Sequence, residues 1–169
     1  MMITLDSPYL MQATGVTLGP EISLSMELMT MDLDKFLKVK AKDRGTSWRK
    51  TVVHDCANAV SYLHDMNVMH RDIKPNNFLV KMKEDGSIMV KLTDFGLCHV
   101  GLTAVGWKGT RGYIAPEMYD DDEPYDQRID DWSLGAVLYE VLTDDTLVKK
   151  RDDVEEELKQ KPNWTKVKA

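Results

Sequence analysis

The sequence predicts a single α+β domain, mainly helical, and three observations carry that prediction. Trp48, Val52, Cys56, Ala59, Leu63 and Met66 recur at steps of three and four, one face of a long amphipathic helix over about 46–65. Phe78–Met82 and Ile88–Leu92 flank Glu84-Asp85-Gly86-Ser87, a turn signal between two apolar runs, and so form a β-hairpin. Trp132, Ala136, Tyr139 and Leu142 mark a further helix, apolar nearly all round and therefore buried. The chain has 169 residues, the length of one domain.

The other elements follow in order. Tyr9–Val16 and Ile22–Leu28 read as two short strands joined by the turn Leu18-Gly19-Pro20-Glu21. Leu33, Phe36 and Leu37 fall at helical spacing, with Asp32 placed as an N-cap and lysines toward the far end. Residues 94–117 hold five glycines and one proline without periodicity, which predicts a long functional or disordered loop. Residues 152–161 are polar and weakly helical.

Composition narrows the function classes. A net charge of −6 argues against a nucleic-acid footprint, which needs a basic field. No stretch approaches the ~20 apolar residues of a membrane span, and the start lacks the pattern of a signal peptide. Cys56 and Cys98 make no C-x-x-C pair, so buried free thiols in a reducing compartment are expected, cytoplasmic or nuclear. No His/Cys/Asp set has zinc spacing.

The chemistry is concentrated after residue 69. His70-Arg71-Asp72-Ile73-Lys74-Pro75-Asn76-Asn77 matches H-R-D-x-x-x-x-N; Asp94-Phe95-Gly96 follows across the hairpin, and Ala115-Pro116-Glu117 comes later. With all three in order, residues 9–142 resemble the eukaryotic protein kinase family. Lys74, and Gly109-Thr110-Arg111-Gly112-Tyr113 ahead of Ala115, resemble its serine/threonine type.

The resemblance implies ATP and Mg²⁺ as cofactors and a protein substrate with a serine or threonine acceptor. Asp72 would orient the acceptor hydroxyl and take its proton, Lys74 would meet the γ-phosphate, and Thr110 would bridge Asp72 and Lys74. Asn77 and Asp94 would hold the metal through oxygen. Leu24–Leu33 is similar to the fifth strand and hinge, spaced as in cyclin-dependent kinases. By that match Met26 is the gatekeeper, the backbones of Glu27 and Met29 meet adenine, Leu79 is the floor under the base, and Asp32 meets ribose. Plain core packing is the other reading of Met26, Met29 and Leu79, and a simple helix cap that of Asp32. Arg71 would pair with an activation-loop phosphate, for which Thr103 is the candidate hydroxyl; an unmodified loop threonine is the alternative. Asp130-Asp131-Trp132-Ser133-Leu134-Gly135 resembles the helix start whose first aspartate binds the catalytic-loop backbone. His54, His64 and His99 match no role.

The family pattern also predicts features that do not fit. No G-x-G-x-x-G stands before the hinge, and eight residues cannot hold the V-A-I-K lysine. The expected organisation is thus a partial kinase domain over 1–169. Residues 1–31 form a two-strand remnant of the N-lobe plus the hinge, and 32–169 a C-lobe truncated near helix G. Weak activity alone follows, and so does a rival class, a non-catalytic pseudokinase-like binding module. A surface facing the small lobe is then left for a partner to cover, with apolar groups near Leu79, Trp132 and Tyr139 partly uncovered. Glu117 lacks the arginine the family would pair with it.

Overall fold

In the computed structural model, which describes residues 5–40, 47–120 and 122–147, β1 (Ala13–Thr17) and β2 (Ser23–Met26) form an antiparallel hairpin. β3 (Met31–Asp32) leads into α1 (Leu33–Lys40), and the amphipathic stripe becomes α2 (Ser47–Asp65). After β4 (Val68–Met69) come β5 (Phe78–Met82) and β6 (Ile88–Leu92), with the bounds the sequence predicts. β7 (His99–Val100) and α3 (Arg128–Thr143) follow. The predicted stretch 152–161 lies outside the described residues.

Each element has a local cause. Asp32 does cap α1: its Oδ1 accepts the Lys35 N–H at 2.8 Å, filling a donor that the first helical turn cannot satisfy. Leu33 and Phe36 then turn inward. α2 buries Trp48, Val52, Cys56, Ala59, Val60 and Leu63 against Phe78, Val80, Val90 and Leu92, the alternating core face of the hairpin.

The sheet order is β3-β5-β6. Two outward N–H groups of β6 find specific acceptors: Val90 donates to the Asp55 carboxylate of α2 at 2.9 Å, and Leu92 to the Tyr9 carbonyl at 2.8 Å. This corrects the first predicted strand. Residues 9–11 do not continue into β1 but lie along β6, with Leu10 fully buried, because that edge needs partners.

α3 packs on α2, and beyond it lies a second apolar cluster of Met69, Ala104, Ile114, Ala115, Met118, Tyr125 and Ile129. Arg49 joins the two helices. Its buried guanidinium stacks 4.3 Å from the Trp48 ring, reaches Asp144 at 3.0 Å and donates to the Val141 carbonyl. Tyr139 is only 5% exposed, contrary to the expected uncovering; Trp132 and Leu79 are half-buried. Glu117 is exposed, where an ion pair contributes little to stability. Exposed apolar side chains gather instead on the first hairpin and its flanks, at Val16, Ile22, Leu24, Leu18 (80% exposed) and Leu28 (89%), with others at Val39, Val100, Leu102 and Val105.

The predicted long loop is more ordered than its composition suggests. β7 pairs with β4, and Ala104 exchanges backbone bonds with Tyr125. Both pairings are short and non-local, so no periodicity announces them.

Candidate active site

The site is built on the turn between β4 and β5. Arg71 adopts φ +66°, a left-handed conformation that costs a non-glycine residue energy and persists only when neighbours enforce it. Asp130, fully buried at the start of α3, is the enforcer: Oδ2 accepts the His70 N–H at 2.7 Å and Oδ1 the Arg71 N–H at 2.9 Å. His64 Nε2 lies 3.3 Å from the same Oδ2.

His70 holds the turn from the opposite side. Burial pushes its pKa below the usual range, so the ring is neutral. Its Nε2 faces the Thr93 carbonyl at 3.0 Å, which can only accept, so the proton sits there. Nδ1 is thereby free to accept the Asp72 N–H at 3.3 Å.

Four of the predicted residues meet at one carboxylate. Lys74 Nζ donates to Asp72 Oδ2 at 2.7 Å and to Thr110 Oγ at 2.8 Å, while the Thr110 hydroxyl donates to Asp72 Oδ1 at 2.7 Å. Asn77 Nδ2 donates to the Asp72 carbonyl at 2.8 Å and to Oδ2 at 3.1 Å. The bridging position expected of Thr110 depends on Gly109, at φ +105°: a Cβ there would stand 2.6 Å from the Arg71 carbonyl oxygen. A face of α3 steadies the following segment, where Ser133 donates to the Tyr113 carbonyl at 2.6 Å and Tyr113 donates to Glu140 at 3.1 Å. Burial raises the Glu140 pKa to about 7.

Asp94 follows β6 at φ +65° with its side chain exposed. Register brings it to the Asn77 end of the hairpin, since Phe78 pairs with Leu92 and Thr93 N–H donates to the Asn77 carbonyl at 2.9 Å. The donor set fits a hard cation. Asn77 spends its N–H groups on Asp72, which leaves Oδ1 as an oxygen ligand at the same end of the hairpin as Asp94. Among the described residues no group of three or more His, Cys, Asp or Glu could hold a metal, so phosphate and water oxygens would complete the shell.

The residues predicted as the hinge lie apart from this lattice. Leu79 pairs in register with Asp32 on one side and Lys91 on the other. The Glu27 carboxylate reaches Lys81 at 3.3 Å and Lys91 closer still. Met29 is half-buried, and Met26 is exposed. Arg71 donates to the Leu97 carbonyl at 2.7 Å and approaches the Tyr125 hydroxyl at 3.4 Å, while Thr103 is exposed. Cys56 is buried as expected while Cys98 is only half-buried, and burial pushes the Cys98 thiol up to about 12 and that of Cys56 well up. Sequence reasoning missed His64, Ser133 and Glu140. The last two share a face with Asp130 at helical spacing, a signal hidden by a helix that is apolar almost all round.

Comparison with known proteins identifies the family and the fold. The Protein kinase domain model matches residues 1–168. Human serine/threonine-protein kinase Sgk2 is 47% identical over 92 residues, 52% of this chain and 24% of that protein. The Drosophila melanogaster dual specificity mitogen-activated protein kinase kinase hemipterous is 39% identical over 146 residues, 82% of this chain and 12% of that protein. The chain thus spans a quarter or less of these relatives. A chain in the crystal structure of the yeast RNA Pol II CTD kinase CTDK-1 complex superposes with a TM-score of 0.79 at 22% identity. The match covers 90% of this chain and 51% of that one, a likeness of fold. The chain belongs to the protein kinase domain family.

Proposed function

We propose that this site performs ATP- and Mg²⁺-dependent phosphoryl transfer to serine or threonine of a protein substrate. The serine/threonine assignment rests on Lys74 and Thr110 together with the relatives' names, and the hinge resembles that of cyclin-dependent kinases. The observation that carries the reading is the Asp72 carboxylate. Three donors fill three of its roughly four lone-pair sites: Lys74 and Asn77 on Oδ2, Thr110 on Oδ1. One acceptor position remains on Oδ1. An acceptor hydroxyl bonded there is oriented, and its proton has a base to go to.

Lys74, held by Asp72 and Thr110, is a fixed point charge for the γ-phosphate. Asn77 and Asp94 would hold the metal through oxygen. When bound, Mg²⁺ supplies charge neutralisation across the β- and γ-phosphates. The backbones of Glu27 and Met29 would receive adenine over Leu79. Asp32 serves as helix cap, and its second oxygen, 3.0 Å from Lys35 Nζ, is what it would turn to ribose.

The test uses the 169-residue chain with Mg·ATP and a mixed serine/threonine peptide pool. Expected are weak nucleotide binding that requires Mg²⁺, and transfer well below the ~1–100 s⁻¹ of kinases that Asp72→Ala abolishes. Transfer unchanged by Asp72→Ala overturns the assignment. A second reading, a non-catalytic binding module, is favoured by the exposed apolar hairpin (Val16, Leu18, Ile22, Leu24). Mg²⁺-independent nucleotide binding with no transfer by the wild-type chain would select it.

A further inference from the structure

The hinge is tied to the body by an ion pair that no family motif explains. We propose that Glu27 is a positioning residue, and that its bridge to Lys91 and Lys81 fixes the backbone of residues 27–29 over Leu79. This rests on the nucleotide reading above, and it concerns how that part of the site is held.

The geometry carries the argument. Leu79 and Lys91 are register partners, so they project from the same face of the β5–β6 hairpin; Lys81 and Met89 share that face one pair along. Glu27, at the end of β2, reaches across to this face. One carboxylate oxygen takes Lys91, and the other takes Lys81 at 3.3 Å. The Lys91 side chain is only 12% exposed and that of Glu27 26%, so the pair is largely shielded from water. These contacts hold Glu27 below the usual carboxylate range, the Lys91 hydrogen bond contributing most.

The other end of the hinge is fastened separately. Thr30 N–H donates to the Val80 carbonyl at 2.9 Å, and Thr30 Oγ accepts the Met82 N–H at 3.0 Å. Only Leu28 and Met29 lie between the two fastenings, and Leu28 is almost wholly exposed. The span is thus clamped at both ends with its backbone left for an incoming base. β1 and β2 form their own two-stranded sheet, separate from β3-β5-β6. Without the carboxylate bridge the hairpin could swing, carrying residue 27 off Leu79.

The test measures hinge order and binding separately in the 169-residue chain. Without nucleotide, Lys91→Met should speed amide hydrogen exchange at Thr30, whose N–H is bonded to the Val80 carbonyl, about tenfold while the α2 amides keep wild-type protection. Lys81→Met should have a smaller effect. With Mg·ATP, Lys91→Met should weaken binding by about tenfold. The swapped pair Glu27→Lys with Lys91→Glu should recover most of both, which general destabilisation would not allow. Unchanged hinge exchange in Lys91→Met overturns the proposal, as does a swap no better than the single variants. A wild-type chain that binds no nucleotide overturns the nucleotide reading instead, and the exchange arm still decides whether the bridge holds the hinge.

Discussion

Replacing Asp130 with asparagine tests the electrostatic fastening of the turn at Arg71. The carboxylate presents two acceptor oxygens to two backbone donors, His70 at 2.7 Å and Arg71 at 2.9 Å, in a fully buried position. An amide of the same shape has one oxygen. Whichever way it turns, one N–H faces an NH₂ group. The loss is one hydrogen bond to a charged acceptor and one buried donor left unsatisfied, together about 3–5 kcal/mol. For a chain of this size that lowers Tm by roughly 6–20 °C. The control is Asp131→Asn: its side chain is 59% exposed, and the change should stay within about 0.5 kcal/mol. Urea unfolding followed by circular dichroism gives both values. If Asp130→Asn melts within about 2 °C of wild type, the left-handed turn at Arg71 is not being held by α3 and the account of the loop is wrong.

Three further outcomes are expected. Gly109→Ala should be destabilising by about 2–4 kcal/mol from clash and positive φ, and should separate Thr110 from Asp72; a variant as stable as wild type would show that the loop shifts freely. Glu140 carries a folded pKa of about 7, raised by burial. Its contribution is therefore full below the unfolded carboxylate range and is lost as pH rises through 7. Glu140→Gln should accordingly flatten the decline in stability between pH 5 and pH 8 by about 2 kcal/mol, and an unchanged profile would count against a buried carboxyl there. The purified 169-residue chain should bind a hydrophobic dye through its first hairpin, and Ile22→Thr with Leu24→Ser should reduce the signal; a dye-silent monomer with a sharp melt would contradict this.

What could be read in advance followed from local rules. The β5–β6 hairpin is set by its turn residues and by alternation, and α2 by its apolar stripe, so both appear with the expected limits or close to them. The Asp72–Lys74–Asn77 cluster was legible because its three positions sit inside eight residues. Thr110 came from a motif, but its geometric requirement, the missing Cβ at Gly109, is visible only when Arg71 lies against it. Leu10 leaving the first strand was not legible: its reason is the outward edge of β6, more than seventy residues away. The same holds for His64 and Arg49, whose partners Asp130 and Asp144 lie 66 and 95 residues along the chain. Tyr139 was misjudged because its cover comes from packing that no spacing encodes.

The strained turn at Arg71 also fixes when the site can exist. Its fastenings are distant in sequence: Asp130 stands 60 residues from His70, and Thr110 38 residues from Asp72. Loops of that length close late, after local helices and hairpins have formed. A folding intermediate with α2 and the β5–β6 hairpin already in place would therefore still present residues 70–72 in relaxed backbone, with Asp72 loosely aimed. The setting of this carboxylate is completed only with the docking of α3, so in partly folded copies of the chain Asp72 lacks the fastened turn that aims it.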